Sequence, residues 1–276
     1  MAQMISNHSR SICKLTLLRV YKDGAEHTSR SYATGFFWRH RDSEYLVTNW
    51  HNLTGLRADN LENNGTFYPN KLRVEFKIIE ETEVPSRVRI IGRERTQIII
   101  DENGRAGWME HQSQNAVDLA CIRVPTEWSG SGKIRCLNDG DFETRWTPEI
   151  GSDCFVLGYP EGMEGQHQTP IWKRASIATE AQLNFEGQPV LLVDTLGRHG
   201  MSGAPVIARS SGVFSPGGTV KPTLDTVVGT WENFVGVYGG RIGERDIGFQ
   251  LGRVWKYSAL KEILENPLEG HHPKYP

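Results

Sequence analysis

GRHGMSGAPVI, residues 197–207, sets Ser202 among glycines and runs through Pro205 into an apolar stretch. A serine that attacks a carbonyl needs main-chain N–H groups aimed at the oxygen that turns negative. Gly200, two residues before Ser202, can take dihedrals closed to residues with a Cβ, so both N–H groups can converge about 3 Å from that oxygen. The segment is a candidate oxyanion hole made of Gly200, Met201 and Ser202. Taken alone it is also a Gly/Ser turn, the ordinary fate of such residues in a chain with 29 glycines. Partners elsewhere decide between the two.

Upstream, YLVTNWHNLTG places His51 directly after the apolar run Tyr45 to Val47, so the imidazole is expected at a strand end. With nine histidines in the chain, a lone one is ordinarily a surface or satisfied core residue. Further along, QNAVDLACIRVP sets Asp118 at the head of a second strand-like run, Leu119 to Val124. A carboxylate entering a buried strand needs a cation, an imidazole or several N–H groups, because an unpaired buried charge is costly. Without such a partner, Asp118 is a strand or turn cap.

The chain order His51, Asp118, Ser202 is one of the known orders of a Ser-His-Asp triad. It excludes an α/β-hydrolase, in which the serine comes first within G-x-S-x-G. Here position 204 is Ala204, and only His271 and His272 follow Ser202. A subtilisin-like order, with the aspartate leading, fits no comparable set of motifs.

YLVTNWH, VDLACIRV and VDTLGRHGMSGAPVI, with Asp194 eight residues before the serine, resemble the histidine, aspartate and serine segments of the chymotrypsin-fold (trypsin-like) serine peptidases. The likeness is closer to their HtrA-like, bacterial intracellular branch. FVLGYPEG (155–162), WKRASIAT (172–179) and DIGFQLGRVWKYSALKEIL (246–264) are similar to later strands and the C-terminal helix of that family, so the resemblance spans nearly the whole chain. It departs from the commonest serine motif at Met201 and Ala204.

The resemblance implies an all-β fold of two packed antiparallel β-barrels with a C-terminal helix. Period-two or β-branched runs agree: Ile12 to Val20, Leu72 to Ile79, Val88 to Ile91, Gln97 to Ile100, Val190 to Val193, Thr226 to Thr230 and Phe234 to Tyr238, separated by Gly, Asn, Asp and Pro clusters. The expected organisation is a peptidase domain over 10–265, with barrel one about 10–128, a linker at 129–147, barrel two about 148–252 and a helix about 253–265. The linker holds SGSG (129–132) and NDGD (138–141), and residues 266–276 are expected to be a tail. Trp255, Leu260, Ile263 and Leu264 fall near one helical face.

With 276 residues, 38% hydrophobic and 23% charged, the chain suits one globular peptidase unit. A net charge of -2 gives no electrostatic case for nucleic acid or an anionic membrane, and the basic run RVRIIGRER (87–95) alternates with apolar residues as a solvated strand face does. No stretch approaches the roughly 20 apolar residues that span a bilayer, and no signal-peptide core is evident, so the expected location is cytoplasmic. The cysteines Cys13, Cys121, Cys136 and Cys154 are expected as free thiols. No cofactor and no metal are expected, since neither CxxC nor HExxH spacing occurs.

The family implies a serine endopeptidase acting on protein or peptide substrates through His51, Asp118 and Ser202. It also implies a primary pocket near Leu196, His199, Tyr238 and Gly239, with Leu196 at its floor and Arg241, Glu244 and Asp246 in the loop beyond. The absence of an acid at Leu196 favours a small or medium apolar P1 side chain over Lys or Arg. Secreted zymogens carry an aspartate before the serine to pair with a freed N-terminus; Met201 stands there, so trimming the N-terminus is not expected to switch on activity. No PDZ-like module follows residue 265, which leaves regulation to a protein partner in trans. Two alternatives stay open: a catalytically silent trypsin-like scaffold that binds a peptide or protein, and an esterase using the same triad.

Overall fold

Ile12–Val20 is buried on both faces at its start, Ile12 and Cys13 pointing to different apolar clusters, and the period-two alternation of strand side chains shapes most of the molecule. The computed structural model describes residues 5–63, 67–82, 88–140, 142, 147–214, 227–242 and 250–275. Helix α1 (Asn7–Ser11), whose first turn is capped by the Ser6 hydroxyl accepting from Ser9 N–H, leads into β1 (Ile12–Val20). Then come β2 (Glu26–His40), β3 (Ser43–Thr48), helix α2 (Trp50–Thr54), β4 (Lys71–Glu81), β5 (Val88–Ile98), β6 (Met109–Glu110), β7 (Ala120–Arg123) and β8 (Lys133–Ile134). The second half holds β9 (Asp153–Gly158), β10 (Ile171–Ile177), β11 (Val190–Asp194), β12 (Pro205–Phe214), β13 (Val227–Arg241) and β14 (Leu251–Lys256). Helix α3 (Tyr257–Glu265) follows, and β15 (Leu268–Glu269) returns to the first half.

Every strand pairing is antiparallel. In the first half the order is β15-β6-β7-β3-β2-β1-β4-β5, with β8 on β4. The sheet curls until Gly107 N–H, just before β6, donates to Ile99 C=O, just after β5, at 2.9 Å. The second half is a closed barrel in the order β10-β11-β14-β13-β12-β9. The fold is thus all-β, two packed antiparallel barrels with a C-terminal helix. Each barrel has its own core, around Phe37, Phe76 and Trp128 in one and Val156, Val193 and Val254 in the other. A third apolar cluster joins them, with Ile12, Phe36 and Val47 from one half meeting Leu157, Ile207 and Trp255 from the other, sealed by Ala259, Leu260, Ile263 and Leu264 of α3.

Several boundaries differ from the sequence expectation. The run Val88 to Ile91 and the start of the run Gln97 to Ile100 belong to one strand, β5, which ends at Ile98, because β4 pairs with it without a break from Glu81 to Lys71. Likewise Phe234 to Tyr238 and the run before it form the single β13, held along its length by β12; Thr226 lies outside the described residues. The helix starts at Tyr257 rather than near 253, since Leu251–Lys256 must close the barrel between β11 and β13. Trp255 is therefore a strand residue. Within 129–147, expected as linker, β8 pairs with β4 and Leu137 is buried, so this segment is partly woven into the first half.

The face where the halves meet also traps charge. Lys14 bridges Glu75 of β4 (3.1 Å) and Glu164 of the second half (2.8 Å). Lys77 on β4 is 1% exposed and its Nζ has no hydrogen-bond partner. Burial lowers its pKa from 10.5 to about 8. Below pH 8 both folded and unfolded chains hold the proton and the folded state carries the full desolvation cost; stability rises as the pH climbs from 8 toward 10.5. At about 1.36 kcal/mol per pKa unit that cost is on the order of 3 kcal/mol. Lys77→Met, which keeps the apolar stem, is expected to raise the urea midpoint at pH 7 by the equivalent of about 1–3 kcal/mol. A lowered midpoint would contradict the unpaired-charge account.

Candidate active site

His51 is carried on α2, one turn of helix that starts where β3 ends and stops at Gly55 in the left-handed region (φ 69). Asp118 sits at the entry to β7, which pairs with β3, so adjacent strands deliver the two residues to one place. Both carboxylate oxygens are taken by His51: its backbone N–H donates to Oδ1 (2.9 Å) and its ring Nδ1 to Oδ2 (2.7 Å). Asn49 Nδ2 holds the Asp118 carbonyl at 2.8 Å. With Nδ1 as donor, the Nε2 lone pair faces away from Asp118 and is free to take a proton. Burial pulls the His51 pKa down, but the Asp118 charge and hydrogen bond outweigh it, and the net shift is upward from 6.5.

Ser202 lies in the loop between β11 and β12, and three carbonyls fix that loop. His199 C=O accepts Glu161 N–H (2.7 Å), Gly200 C=O accepts Thr34 Oγ1–H (2.6 Å), and Met201 C=O accepts Ala204 N–H (3.0 Å). In a trans peptide the N–H points opposite to its C=O. Gly200 N–H therefore points away from Glu161 and Ser202 N–H away from Ala204. Among the described residues neither N–H has a protein acceptor. Gly200 (φ 89) and Gly203 (φ 87) are required here, because a Cβ would collide with the Tyr159 carbonyl oxygen at the first and the Thr34 carbonyl oxygen at the second.

Met201 does not join these donors. Its N–H turns to Arg198 C=O (3.3 Å) and its side chain, 1% exposed, fills the second barrel's core. A thioether that must pack between β-strands cannot also line a polar hole, so Met201 is a correction to the expected set.

The Ser202 loop is tied to the His51 turn by Asn52, whose Nδ2 donates to Ser202 C=O (3.2 Å) and Thr48 Oγ1 (3.0 Å). Among the described residues Ser202 Oγ and His51 Nε2 make no hydrogen bond to each other. Such bonds are often long before substrate arrives. Around the expected pocket, Leu196 is 38% exposed and so is no buried floor, while Tyr238 is 2% exposed and lies under Gly197. His199 is exposed, and Gly239 in β13 abuts the Trp255 indole. Glu244 and Asp246 lie outside the described residues.

Thr34 on β2 is the residue that sequence inspection misses. Besides its bond to Gly200, its Oγ1 accepts Tyr159 N–H (3.2 Å), its N–H donates to Ser202 C=O (2.9 Å) and its C=O accepts Thr48 Oγ1–H (2.8 Å). A second support is Glu110, 1% exposed, whose Oε2 accepts the indole N–H groups of Trp50 (3.0 Å) and Trp108 (3.1 Å). Residues 266–275, expected as a loose tail, strap the same region. Gly270 N–H donates to Trp108 C=O (2.9 Å), His272 Nε2 bonds the Thr54 carbonyl that ends α2 (2.8 Å), and Lys274 Nζ reaches Leu61 C=O. Among the described residues no group of three or more His, Cys, Asp and Glu could hold a metal ion.

Thr34→Val removes the hydroxyl at nearly constant volume and strands the Gly200 carbonyl and Tyr159 N–H, each buried polar loss costing about 1–3 kcal/mol. It is expected to slow covalent labelling of Ser202 by a fluorophosphonate at least tenfold, whereas Thr34→Ser keeps the rate within about threefold. Equal rates for the two variants would remove Thr34 from this role.

No curated protein matches the chain. The sequence model of the trypsin-like peptidase domain matches residues 33–214, a span that runs from β2 to the end of β12 and contains His51, Asp118 and Ser202. Matched over well more than half of its 276 residues, the chain belongs to the trypsin-like peptidase domain family.

Proposed function

We propose that this protein is a serine endopeptidase in which His51, Asp118 and Ser202 act as the triad. His51 Nε2 takes the Ser202 Oγ proton as the oxygen attacks a peptide carbonyl carbon. The N–H groups of Gly200 and Ser202 hold the resulting oxyanion, a contribution of about 3 kcal/mol per donor in comparable sites. His51 then gives its proton to the leaving amine, and water hydrolyses the acyl-enzyme with His51 again as base. Asp118 holds the ring in the required tautomer and stabilises its charged form. The observation that carries this proposal is the pair of uncommitted N–H groups, with the His199 carbonyl drawn off to Glu161 instead of into the hole.

The HtrA-like affiliation and a cytoplasmic location belong to the same proposal. All four cysteines are buried and free, as thiols kept in a reducing compartment are, and no described helix is long and apolar enough to cross a membrane. The silent-scaffold alternative draws on one observation, the unmade Ser202–His51 hydrogen bond.

Fluorophosphonate labelling separates the two. Wild type is expected to be labelled and Ser202→Ala not, with casein cleavage lost in parallel; an unlabelled wild type with native circular dichroism would favour the scaffold. The pH dependence follows from His51. A base whose folded pKa is raised stays protonated and inactive further up the scale, so the acid limb of kcat/KM is expected above 6.5, falling as the pH drops through it. Asp118→Asn is expected to cut kcat by about 10⁴, the loss seen when a triad carboxylate is neutralised. A limb below 6.5 in wild type would contradict the pairing drawn for Asp118.

A further inference from the structure

The strand end beside the nucleophile collects hydrogen-bond donors that have nothing to bind. Gly240 of β13 is the closest marker of that place, since a Cβ on it would lie 4.0 Å from Ser202 Oγ. Next in sequence is Arg241, whose side chain runs along Gly197. A Cβ on Gly197 would lie 2.5 Å from Arg241 Cγ and would collide with Tyr238 Oη. The tyrosine hydroxyl and the arginine stem therefore meet at the segment 196–199 that precedes the serine loop.

Among the described residues neither group finds a partner. Tyr238 is 98% buried by its 2% exposure, and its Oη has no hydrogen-bond partner. Arg241 is exposed and has no carboxylate partner among the described residues. Arg198, also exposed and without an ion pair among them, stands one residue from Gly197. Lys173 Nζ bonds Thr195 Oγ1 at 2.8 Å and feels the Arg198 charge. Among the described residues the acids nearby are Asp194, exposed at the end of β11 beside Lys173, and Glu161, whose backbone holds His199. Burying a hydroxyl without a partner is costly, and a native structure tolerates it where a ligand completes the bond. The missing partner must accept hydrogen bonds and, beside two or three cations with few acids, carry negative charge.

We infer that Tyr238 and Arg241 form the recognition site for an acidic side chain, glutamate or aspartate, on the acyl side of the scissile bond. This rests on Ser202 being the nucleophile, and it replaces the apolar preference expected from Leu196. The carboxylate lies against Gly197, accepts from Tyr238 Oη–H and pairs with the Arg241 guanidinium, which the exposed stem is free to swing onto it. Arg198 adds long-range attraction. Leu196, on the surface, takes no part.

The test uses tetrapeptide p-nitroanilides, succinyl-Ala-Ala-Pro-Xaa, with Glu, Leu or Lys at the last position. Wild type is expected to cleave the Glu substrate with kcat/KM at least tenfold above Leu and above Lys. Tyr238→Phe and Arg241→Gln are each expected to lower the Glu-to-Leu ratio ten- to a hundredfold, a ratio unaffected by how much protein is folded. A Leu or Lys preference in wild type, or an unchanged ratio in both variants, would overturn the assignment. Fluorophosphonate labelling of the same preparation reports on the nucleophile alone. If Ser202 is not labelled, the site is read by NMR line broadening of acetyl-Ala-Ala-Pro-Glu against the Leu peptide. Preferential binding of the Glu peptide, lost in Tyr238→Phe, then upholds the acidic site, and equal binding refutes it.

Discussion

One buried threonine joins the two halves of the site. Thr34 belongs to the first barrel, yet all of its polar atoms but one bond act on the second: it fixes the Gly200 carbonyl, receives the Tyr159 amide and holds the Ser202 carbonyl. The fourth bond, to Thr48, anchors it to the strand that leads into His51. Because interiors are close-packed and the groups are dry, none of these contacts can be replaced by water. The direction of the Gly200 N–H, the height of Ser202 and the entry to the histidine turn are all set from this point. The interbarrel cluster around Phe36, Leu157 and Trp255 supplies the adhesion, and Thr34 supplies the alignment.

The candidate site residues stood out in the sequence because each sits in a local pattern: an apolar strand ending at His51, a carboxylate heading a strand at Asp118, glycines flanking Ser202. The supporting residues did not. Thr34 looks like any polar position of an alternating strand, and its partners are 125 and 166 residues away. Glu161 acts through its backbone in a left-handed conformation (φ 51), which no side-chain pattern announces. Glu110, lodged in WMEH, offered one hint, an acid where the neighbours are apolar and must therefore be paired. Met201 was misread for the opposite reason: its neighbours are catalytic in type, but its own side chain answers to the barrel core.

The fold followed the same division. The run Ile12–Val20, rich in apolar and β-branched residues, was found with its ends. β5 and β13 were broken in two because charged or glycine residues interrupt the apolar run, and only pairing with β4 and β12 carries the strand through. Helical amphipathicity drew Trp255 into the last helix, but barrel closure claims that residue for β14. Long-range pairing overrides local preference wherever the barrel needs an unbroken edge.

The strap over the His51 turn also sets the stage of folding at which the candidate site is assembled. His51, Asp118 and Ser202 are spread over 151 positions along the chain, and α2 is buttressed from far downstream, through Gly270 and His272. Contacts of such sequence separation form late, after the loops they close have been ordered. The first sheet is itself completed from far along the chain, where Leu268–Glu269 of β15 pairs with β6. The proposed nucleophile and base meet only when the second barrel has docked, and the histidine turn is fully clamped only when Gly270 and His272 have packed on it. A partly folded chain thus lacks the proposed hydrolytic centre, and the late packing that completes the fold also completes the site.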